Sequence, residues 1–222
     1  MSKELQKRII SSFILFFVFT FCLFIHEYTW FALVFICCLL SWLEWISMMK
    51  KIKIKNKIFE VLSLILSFLY LLTAAFIFYF IGHWDASQFI FLVSICIFSD
   101  IGGYVFGKII GGKKLTKISP NKTISGSIGS FIFSIIIFYL WLYIIDDFSK
   151  LDSATLYFYI LIPIFLSFIN QSGDLFISYF KRKAKIKNTS KLIPGHGGIL
   201  DRLDGIIFAI PLTILLFTLL SI

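Results

Sequence analysis

The sequence is poor in charged residues. Asp, Glu, Lys and Arg make up 15% of its 222 residues, against roughly 25% in an ordinary soluble domain. No polar linker, internal repeat or low-complexity segment divides the chain. The four cysteines lack the spacing of metal ligands and lie in apolar stretches, which favours a packing role; they are Cys22, Cys37, Cys38 and Cys96. The composition therefore argues against a soluble globular fold.

Apolar length takes the place of charge. Hydrophobic residues make up 59% of the chain, and the mean hydropathy is +0.95. Several runs reach the ~17–25 residues that a helix needs to cross the hydrocarbon of a bilayer. We predict an all-α, polytopic membrane bundle of about seven transmembrane helices, with residues 1–222 as one membrane domain. The predicted spans are residues 9–25, 28–48, 58–81, 89–106, 128–145, 156–180 and 205–222.

The first apolar run has the basic flank of a signal peptide, but no small-residue cleavage site follows it. We therefore interpret it as a membrane anchor.

Basic residues fall on alternate connections between the spans. The formal net charge is +9, and Lys and Arg cluster before the first span and in three later connections. The intervening connections are short and poor in them. The positive-inside rule places the basic segments and the N-terminus in the cytoplasm. These segments are residues 3–8, 50–57, 108–122 and 181–191.

An aspartate interrupts the fourth span. Asp100 lies among small residues spaced four apart, Ser99, Gly103 and Gly107. An aspartate at a helix centre costs about 2.5–3.5 kcal/mol on insertion scales, so it normally faces a partner or a water-filled cavity. Two interpretations stay open: a functional residue, or a structural hydrogen bond between helices. For the glycines, close helix packing is the expected role.

A stripe of polar residues lies at the C-terminal end of the sixth predicted span. Asp174, Ser178 and Lys181 are spaced i, i+4 and i+7 and share one helix face. The stripe descends about 10 Å from the basic boundary into the membrane, at 1.5 Å per residue. A snorkelling pair between Asp174 and Lys181 or a bound cation would explain it.

Two cytoplasmic loops are rich in glycine and lysine. Glycines that admit a close backbone approach, together with lysines, suit phosphate groups. Asp201 and Asp204 follow the second loop on one helical face, and such carboxylates suit Mg²⁺ shared with substrate phosphates. The residues alone thus predict a cytoplasm-facing, metal-assisted phosphate site that opens sideways into lipid. The loop residues concerned are Ser119, Asn121, Lys122 and Thr123 in the first loop and Gly195, Gly197 and Gly198 in the second.

The stretch "SYFKRKAKIKNTSKLIPGHGGILDRLD", residues 178–204, closely resembles the signature of the phosphatidate cytidylyltransferase (CDP-diacylglycerol synthase) family. "SDIGGYVFGK" (99–108), "ISPNKT" (118–123) and "EW" (44–45) also resemble family segments. The resemblance implies a polytopic, homodimeric enzyme of the bacterial inner (plasma) membrane. It would join CTP to phosphatidate, a membrane lipid, and release pyrophosphate with Mg²⁺ and an assisting K⁺. No nucleic acid partner is expected. Residues 100–222 would be the catalytic half, with cytoplasmic loops 107–127 and 181–204, and residues 1–99 less specific helices.

The resemblance also implies roles for individual residues. Asp174 and Asp201 match paired metal ligands, with Asp204 as a third acid. The predicted site residues form a catalytic set and a substrate-binding set. His196 belongs to the second set, and two roles are equally open for it: loop structure and contact with a ligand. The catalytic set is Asp174, Asp201, Asp204, Lys181, Lys187 and Arg202; the substrate-binding set is Ser119, Lys122, Thr123, Ser178, Arg182, His196, Gly197 and Gly198.

Two departures from the family pattern concern the same loops. Asn188 stands where the signature has aspartate, and Ser125 stands where glutamate or glutamine is usual. Reduced activity or altered substrate choice would follow if these positions are essential. Because Asp174, Asp201 and Asp204 remain, we expect an active enzyme. The alternatives are a related CTP-dependent enzyme acting on another lipid, and an ion or anion transporter.

Overall fold

The computed structural model describes residues 3–52, 56–144 and 153–220. Parts of four predicted features lie outside these residues: the middle of the basic segment 50–57, the end of the fifth span at Ile145, the connection that follows it, and the end of the seventh span. The described helices are α1 (Lys3–Ile25), α2 (Glu27–Ile52), α3 (Lys57–Trp84), α4 (Ala86–Ile109), α5 (Ile124–Ile144), α6 (Ser153–Lys183), α7 (Leu200–Leu203) and α8 (Ile206–Leu220).

The predicted all-α membrane fold is confirmed. Within the described ranges, six helices, α1 to α6, are long and apolar enough to span a membrane, so the chain is an integral membrane protein. The seventh predicted span corresponds to α8, which has 15 residues, fewer than the ~20 of a typical spanning helix. Most observed helices extend beyond the predicted spans, because helical hydrogen bonding continues past the hydrocarbon into polar residues.

The described helices group into two compact units. The first comprises Met1–Gln88 and Tyr179–Asp204; the second comprises Phe89–Ser178 and Gly205–Ile222. Helix α6 therefore contributes its C-terminal end to the first unit and the rest of its length to the second.

Indole hydrogen bonds and ring contacts hold the first unit together. Trp30 Nε1 donates to the carbonyls of Phe78 and Tyr79 at 3.3 Å each, which joins α2 to α3. The ring of Trp45 in α2 lies 5.0 Å from that of Phe180 in α6. An indole that buries its apolar face while its N–H finds a carbonyl suits such helix contacts.

Small residues bring α4 and α5 together in the second unit. A Cβ added to Gly102 would meet the backbone oxygen of Gly129, and one added to Gly103 would meet Ser130 Oγ. Helix α6 joins this pair through Asn170, whose Nδ2 donates to Asp100 Oδ1 at 2.9 Å. Asp100 therefore makes the interhelical hydrogen bond of the structural interpretation.

Candidate functional site

A tight turn organises the loop between α6 and α7. Gly195 and Gly197 have φ angles of +78° and +95°, a left-handed backbone that residues with a Cβ rarely adopt. The Ile193 N–H donates to the Gly197 carbonyl at 2.7 Å, and the Gly197 N–H donates to the Ile193 carbonyl at 3.1 Å. A Cβ on Gly197 would also overlap Asp201 Oδ2. The two glycines thus allow the loop to fold closely around an aspartate.

Asp201 is the polar centre of the first unit. Its Oδ2 accepts from the Thr189 N–H at 2.8 Å and from the Gly198 N–H at 3.0 Å, and Thr189 Oγ1 lies 3.0 Å from the same oxygen. Its Oδ1 accepts from Lys181 Nζ at 2.9 Å. The Asp201 and Lys181 side chains are 5% and 11% exposed, and Lys181 Nζ also lies 3.5 Å from Asp204 Oδ2. One buried ammonium therefore balances two acids of the signature.

The charge state of Asp201 follows from these contacts. Burial raises the pKa of its carboxyl, but the Gly198 N–H, the Lys181 ammonium and the Thr189 N–H outweigh burial and hold the pKa below the ordinary value of 3.8. Asp201 is an anion at neutral pH.

Glu44 of α2 anchors the same loop. The residue is 6% exposed. Its Oε1 accepts from Ser190 Oγ at 2.7 Å and from the Ile199 N–H at 3.0 Å. Its Oε2 accepts from Thr189 Oγ1 at 2.7 Å and from the Leu200 N–H at 2.9 Å. The family resemblance includes Glu44 only within the segment "EW" and implies no role for it. A carboxylate within an apolar helix was the sequence signal that could have identified it.

Gly198 lies against this anchor, and its substitution by alanine is expected to destabilise the site. An added Cβ would overlap Thr189 Oγ1 and both carboxylate oxygens of Glu44, which cannot move without breaking their hydrogen bonds. We expect Gly198→Ala to lower the free energy of unfolding by about 1–3 kcal/mol, measured by thermal denaturation in detergent. The matched control is Gly107→Ala, whose Cβ would lie 3.1 Å from its nearest neighbour, Thr123 Oγ1. Equal melting temperatures for the two variants would contradict the overlap.

His196 connects the loop to α1. Ser11 Oγ lies 2.7 Å from its Nδ1, and Ser12 Oγ lies 3.3 Å from its Nε2. Arg202 Nη2 donates to the His196 carbonyl at 3.2 Å. These contacts give His196 a part in loop structure; its contact with a ligand stays a prediction.

The link through His196 is expected to depend on pH. Burial, followed by the charges of Arg202 and Arg8, lowers the pKa of His196 below its ordinary value of 6.5. The folded protein therefore binds this proton less readily than the unfolded chain, so the contribution of the link is complete above pH 6.5 and declines as the pH falls through the folded pKa. We expect hydrogen exchange in residues 8–12 and 193–197, corrected for intrinsic rates, to increase at acidic pH. His196→Gln should abolish this pH dependence, and pH-independent wild-type protection would refute the expectation.

The second unit holds the other predicted acid. Lys122 Nζ lies 2.5 Å from Asp174 Oδ2, and the two side chains are 26% and 28% exposed. Ser178 Oγ donates to Asp174 Oδ1 at 3.2 Å, as their spacing of four residues on α6 allows. The structure thus brings a lysine of the predicted substrate-binding set to a predicted metal ligand.

Backbone pairing presents Lys122. The Leu115 N–H donates to the Lys122 carbonyl at 2.8 Å, and the Ile124 N–H donates to the Lys113 carbonyl at 3.0 Å. Ser119 contributes its carbonyl to the turn, accepting from the Lys122 N–H at 3.1 Å. The loop therefore closes like a short hairpin before α5 begins.

Thr123 caps α5. Its Oγ1 accepts from the Gly126 N–H at 3.0 Å, which satisfies one of the unpaired donors at the start of the helix. Ser125, one of the two departures, lies 3.0 Å from Thr123 Oγ1 and donates to the Gly111 carbonyl. The serine thus has a structural role in joining the two ends of the loop.

The remaining predicted residues also fall into the two units. Arg182, Lys187 and Arg202 are exposed on the first unit, together with the Asp201 cluster, His196 and the signature glycines. Ser119, Lys122, Thr123, Asp174 and Ser178 lie in the second. The pairing of Asp174 with Asp201 on one metal stays a prediction. Within the described ranges, no three His, Cys, Asp or Glu residues are grouped closely enough to hold a metal ion.

The carboxylates nevertheless suit a hard cation whose remaining ligands come from the substrate. Mg²⁺ is commonly held by one or two carboxylates together with substrate phosphates. Asp201 directs Oδ1 to Lys181 while protein N–H and O–H groups occupy Oδ2. Asp174 directs Oδ2 to Lys122. Each acid thus directs one oxygen toward a lysine ammonium, and a bound cation would share that side of the carboxylate.

Known proteins resemble the chain over most of these elements. The sequence model described as "Cytidylyltransferase family" matches residues 53–220. A phosphatidate cytidylyltransferase from Staphylococcus haemolyticus is 37% identical over 139 residues, which is 62% of this chain and 52% of the relative. Proteins of that name from Staphylococcus saprophyticus and Staphylococcus aureus (strain COL) are 41% and 42% identical over 115 residues, 51% of this chain and 42% of each relative. The chain spans about half the length of the curated relatives it matches.

Proposed function

Because the chain belongs to the cytidylyltransferase family, we propose that it transfers a cytidylyl group from CTP to phosphatidate, giving CDP-diacylglycerol and pyrophosphate for phospholipid synthesis. The observation that carries this proposal is the Asp201 cluster: a buried anion, held by Lys181 and by backbone N–H groups of a glycine-rich loop. The similarity to proteins named phosphatidate cytidylyltransferase supports the choice of substrates.

The reaction needs positioning and charge neutralisation more than covalent chemistry from the protein. A phosphate oxygen of phosphatidate attacks the α-phosphorus of CTP, and the bond from that phosphorus to the oxygen of the leaving pyrophosphate breaks. The second pKa of a phosphate monoester is about 6, so the attacking oxygen is largely ionised near neutral pH without a general base.

The predicted basic residues would supply the neutralising charge. Lys122 and Lys181 lie against acids, which orients their ammonium groups. Arg202 is exposed beside the loop and is assigned to the leaving pyrophosphate. A fixed cation acts strongly on the charge that develops in the transition state, because it does not reorganise during the reaction.

We also propose that a divalent cation would complete the site. Asp174 and Asp201 would hold Mg²⁺, which as a Lewis acid would neutralise phosphate charge, and K⁺ would assist. Removal of Mg²⁺ by a chelator should therefore abolish product formation, and its return should restore it.

The membrane setting suits the substrates. The acyl chains of phosphatidate would stay in the bilayer while its headgroup meets the water-soluble nucleotide. The alternation of basic connections supports an active site facing the cytoplasm of a bacterial plasma membrane. A homodimer is also proposed, and cross-linking in native membranes tests it.

The reaction is tested with radiolabelled CTP, phosphatidate and Mg²⁺, using purified wild type beside Asp201→Ala. Labelled CDP-diacylglycerol from the wild type, lost in the variant, would support both reaction and site. No product from well-folded protein, while a staphylococcal relative is active in the same assay, would refute it. Product with another lipid acceptor would identify a different CTP-dependent enzyme. Ion flux in liposomes without nucleotide consumption would indicate a transporter.

A further inference from the structure

Glu44 is a buried acid, and its hydrogen-bond partners among the described residues are all neutral. It is 6% exposed, and within the described ranges no lysine, arginine or histidine forms a salt bridge with it. Burying an anion without a cation is costly unless hydrogen bonds replace its hydration. The compensation at Glu44 comes from four donors of a single loop.

A backbone N–H faces each of the two oxygens of the Glu44 side chain. Each carboxylate oxygen accepts one side-chain hydroxyl and one backbone N–H: Ser190 and Ile199 at Oε1, Thr189 and Leu200 at Oε2. A glutamine would present its NH₂ group to one of these pairs. A hydroxyl can rotate to accept from that group, but a backbone N–H cannot. The loop therefore requires an acceptor at both oxygens.

Thr189 connects Glu44 to the site acid. Its Oγ1 lies 2.7 Å from Glu44 Oε2 and 3.0 Å from Asp201 Oδ2, and the Thr189 N–H donates to the same oxygen of Asp201 at 2.8 Å. Glu44 also binds both ends of the segment from residue 189 to residue 200. A displacement of Glu44 would therefore move Thr189, whose N–H donates to the Asp201 carboxylate.

We propose that Glu44 is a positioning residue, which fixes the loop from residue 189 to residue 200 on α2 and, through Thr189, orients the carboxylate of Asp201 for the reaction. The proposal rests on the proposed function. Glu44 itself touches neither substrate. Its effect is on geometry, and a misplacement of about 1 Å can cost roughly 10²-fold in rate.

The first test compares wild type with Glu44→Gln in the CTP and phosphatidate assay, with rates expressed per folded protein. The expected result is a kcat lower by ~10–100-fold, the usual effect of losing a partner that orients a ligand. The KM for CTP should change by less than ~2-fold, since a positioning residue makes no contact with the nucleotide. A reduced melting temperature alone, with kcat per folded protein unchanged, would overturn the proposal.

Substitutions of Thr189 provide a second test, which can be made even if Glu44→Gln does not fold. Thr189→Ser keeps the hydroxyl and should retain activity, whereas Thr189→Val should lose it to an extent similar to Glu44→Gln. If both variants fold, the combined variant should lose less than the product of the single effects, because both break one connection. Full activity of Thr189→Val would overturn the proposed path to Asp201.

Glu60→Gln is the matched control, since Glu60 is a half-exposed acid of α3 in the same unit. This substitution should leave kcat unchanged. Hydrogen exchange in residues 189–200 provides a readout that is independent of catalysis and should increase in Glu44→Gln. Absence of product from the wild type would refute the proposed reaction. An active wild type, with unchanged kcat and loop protection in Glu44→Gln, would refute only the role of Glu44.

Discussion

Asp201→Asn is expected to lower kcat by roughly 10³-fold, the upper range for loss of one preorganised electrostatic contact. The amide oxygen of the new side chain can take the place of Oδ2 and keep Thr189 and Gly198 as donors. Its NH₂ group would then face the ammonium of Lys181, which now lies 2.9 Å from Oδ1. Two donors cannot pair, so Lys181 would lose its strongest described contact.

The same substitution is expected to destabilise the protein. Lys181 is 11% exposed in its side chain, and leaving one member of a buried ion pair uncompensated costs about 3–5 kcal/mol. Asp204, at 3.5 Å, would recover part of this cost. Thermal denaturation followed by a rate per folded molecule separates the two effects.

Asp85→Asn is the matched control for this experiment. Asp85 accepts from Ser87 Oγ at 2.5 Å and from the Gln88 N–H at 2.9 Å, so it is a hydrogen-bonded aspartate that lies outside the predicted site. We expect its kcat to stay within ~2-fold of wild type, as for surface substitutions away from special features. If Asp201→Asn had the same small effect, Asp201 would not belong to the reaction.

Lys122→Met is expected to lower kcat/KM by ~10²-fold or more, with a large part of the loss in the KM for CTP. Methionine keeps the apolar stem but removes the ammonium that lies 2.5 Å from Asp174 Oδ2. The site would lose a cation for the nucleotide phosphates and retain an acid without its lysine. Electrostatic repulsion between Asp174 and the phosphates would then be less compensated.

Lys117→Met tests whether any lysine of this loop would have the same effect. Lys117 is exposed in the same segment, and its replacement changes the net charge by the same amount. Its kcat/KM should remain near that of wild type at moderate salt, because an exposed charge is screened within about 10 Å. Equal losses for the two variants would indicate a general charge effect rather than a site at Lys122.

The sequence predicted the elements that depend on local composition. Apolar length located the helices, because a spanning helix must satisfy its own backbone and be apolar along its whole length. Helical spacing likewise predicted that Ser178 lies near Asp174, and the structure shows a hydrogen bond between the two side chains. The ends of the helices were less accurate, since polar residues of the interface continue α2 to Ile52 and α3 to Trp84.

The sequence did not predict contacts between distant segments. Glu44 lies 145 residues before Thr189, and no periodicity relates a carboxylate in one helix to the N–H groups of a loop so far along the chain. His196 is similar: the family resemblance left two equal interpretations, and its contacts with Ser11 and Ser12 show the structural role. Such hydrogen bonds depend on the packing of α1 and α2 against the loop.

The long separation of these contacts sets the order in which the protein matures. Ser11 and His196 are 185 residues apart, and translation at about 5–20 residues per second needs roughly 10–40 s to cover that distance. During this interval α1 and α2 are already made, while Ser11 and Glu44 still lack their partners in the signature loop. The first unit therefore cannot assemble its polar centre helix by helix as the chain emerges. Its N-terminal helices must wait for the loop, and the centre forms only after residues 189–201 have been made.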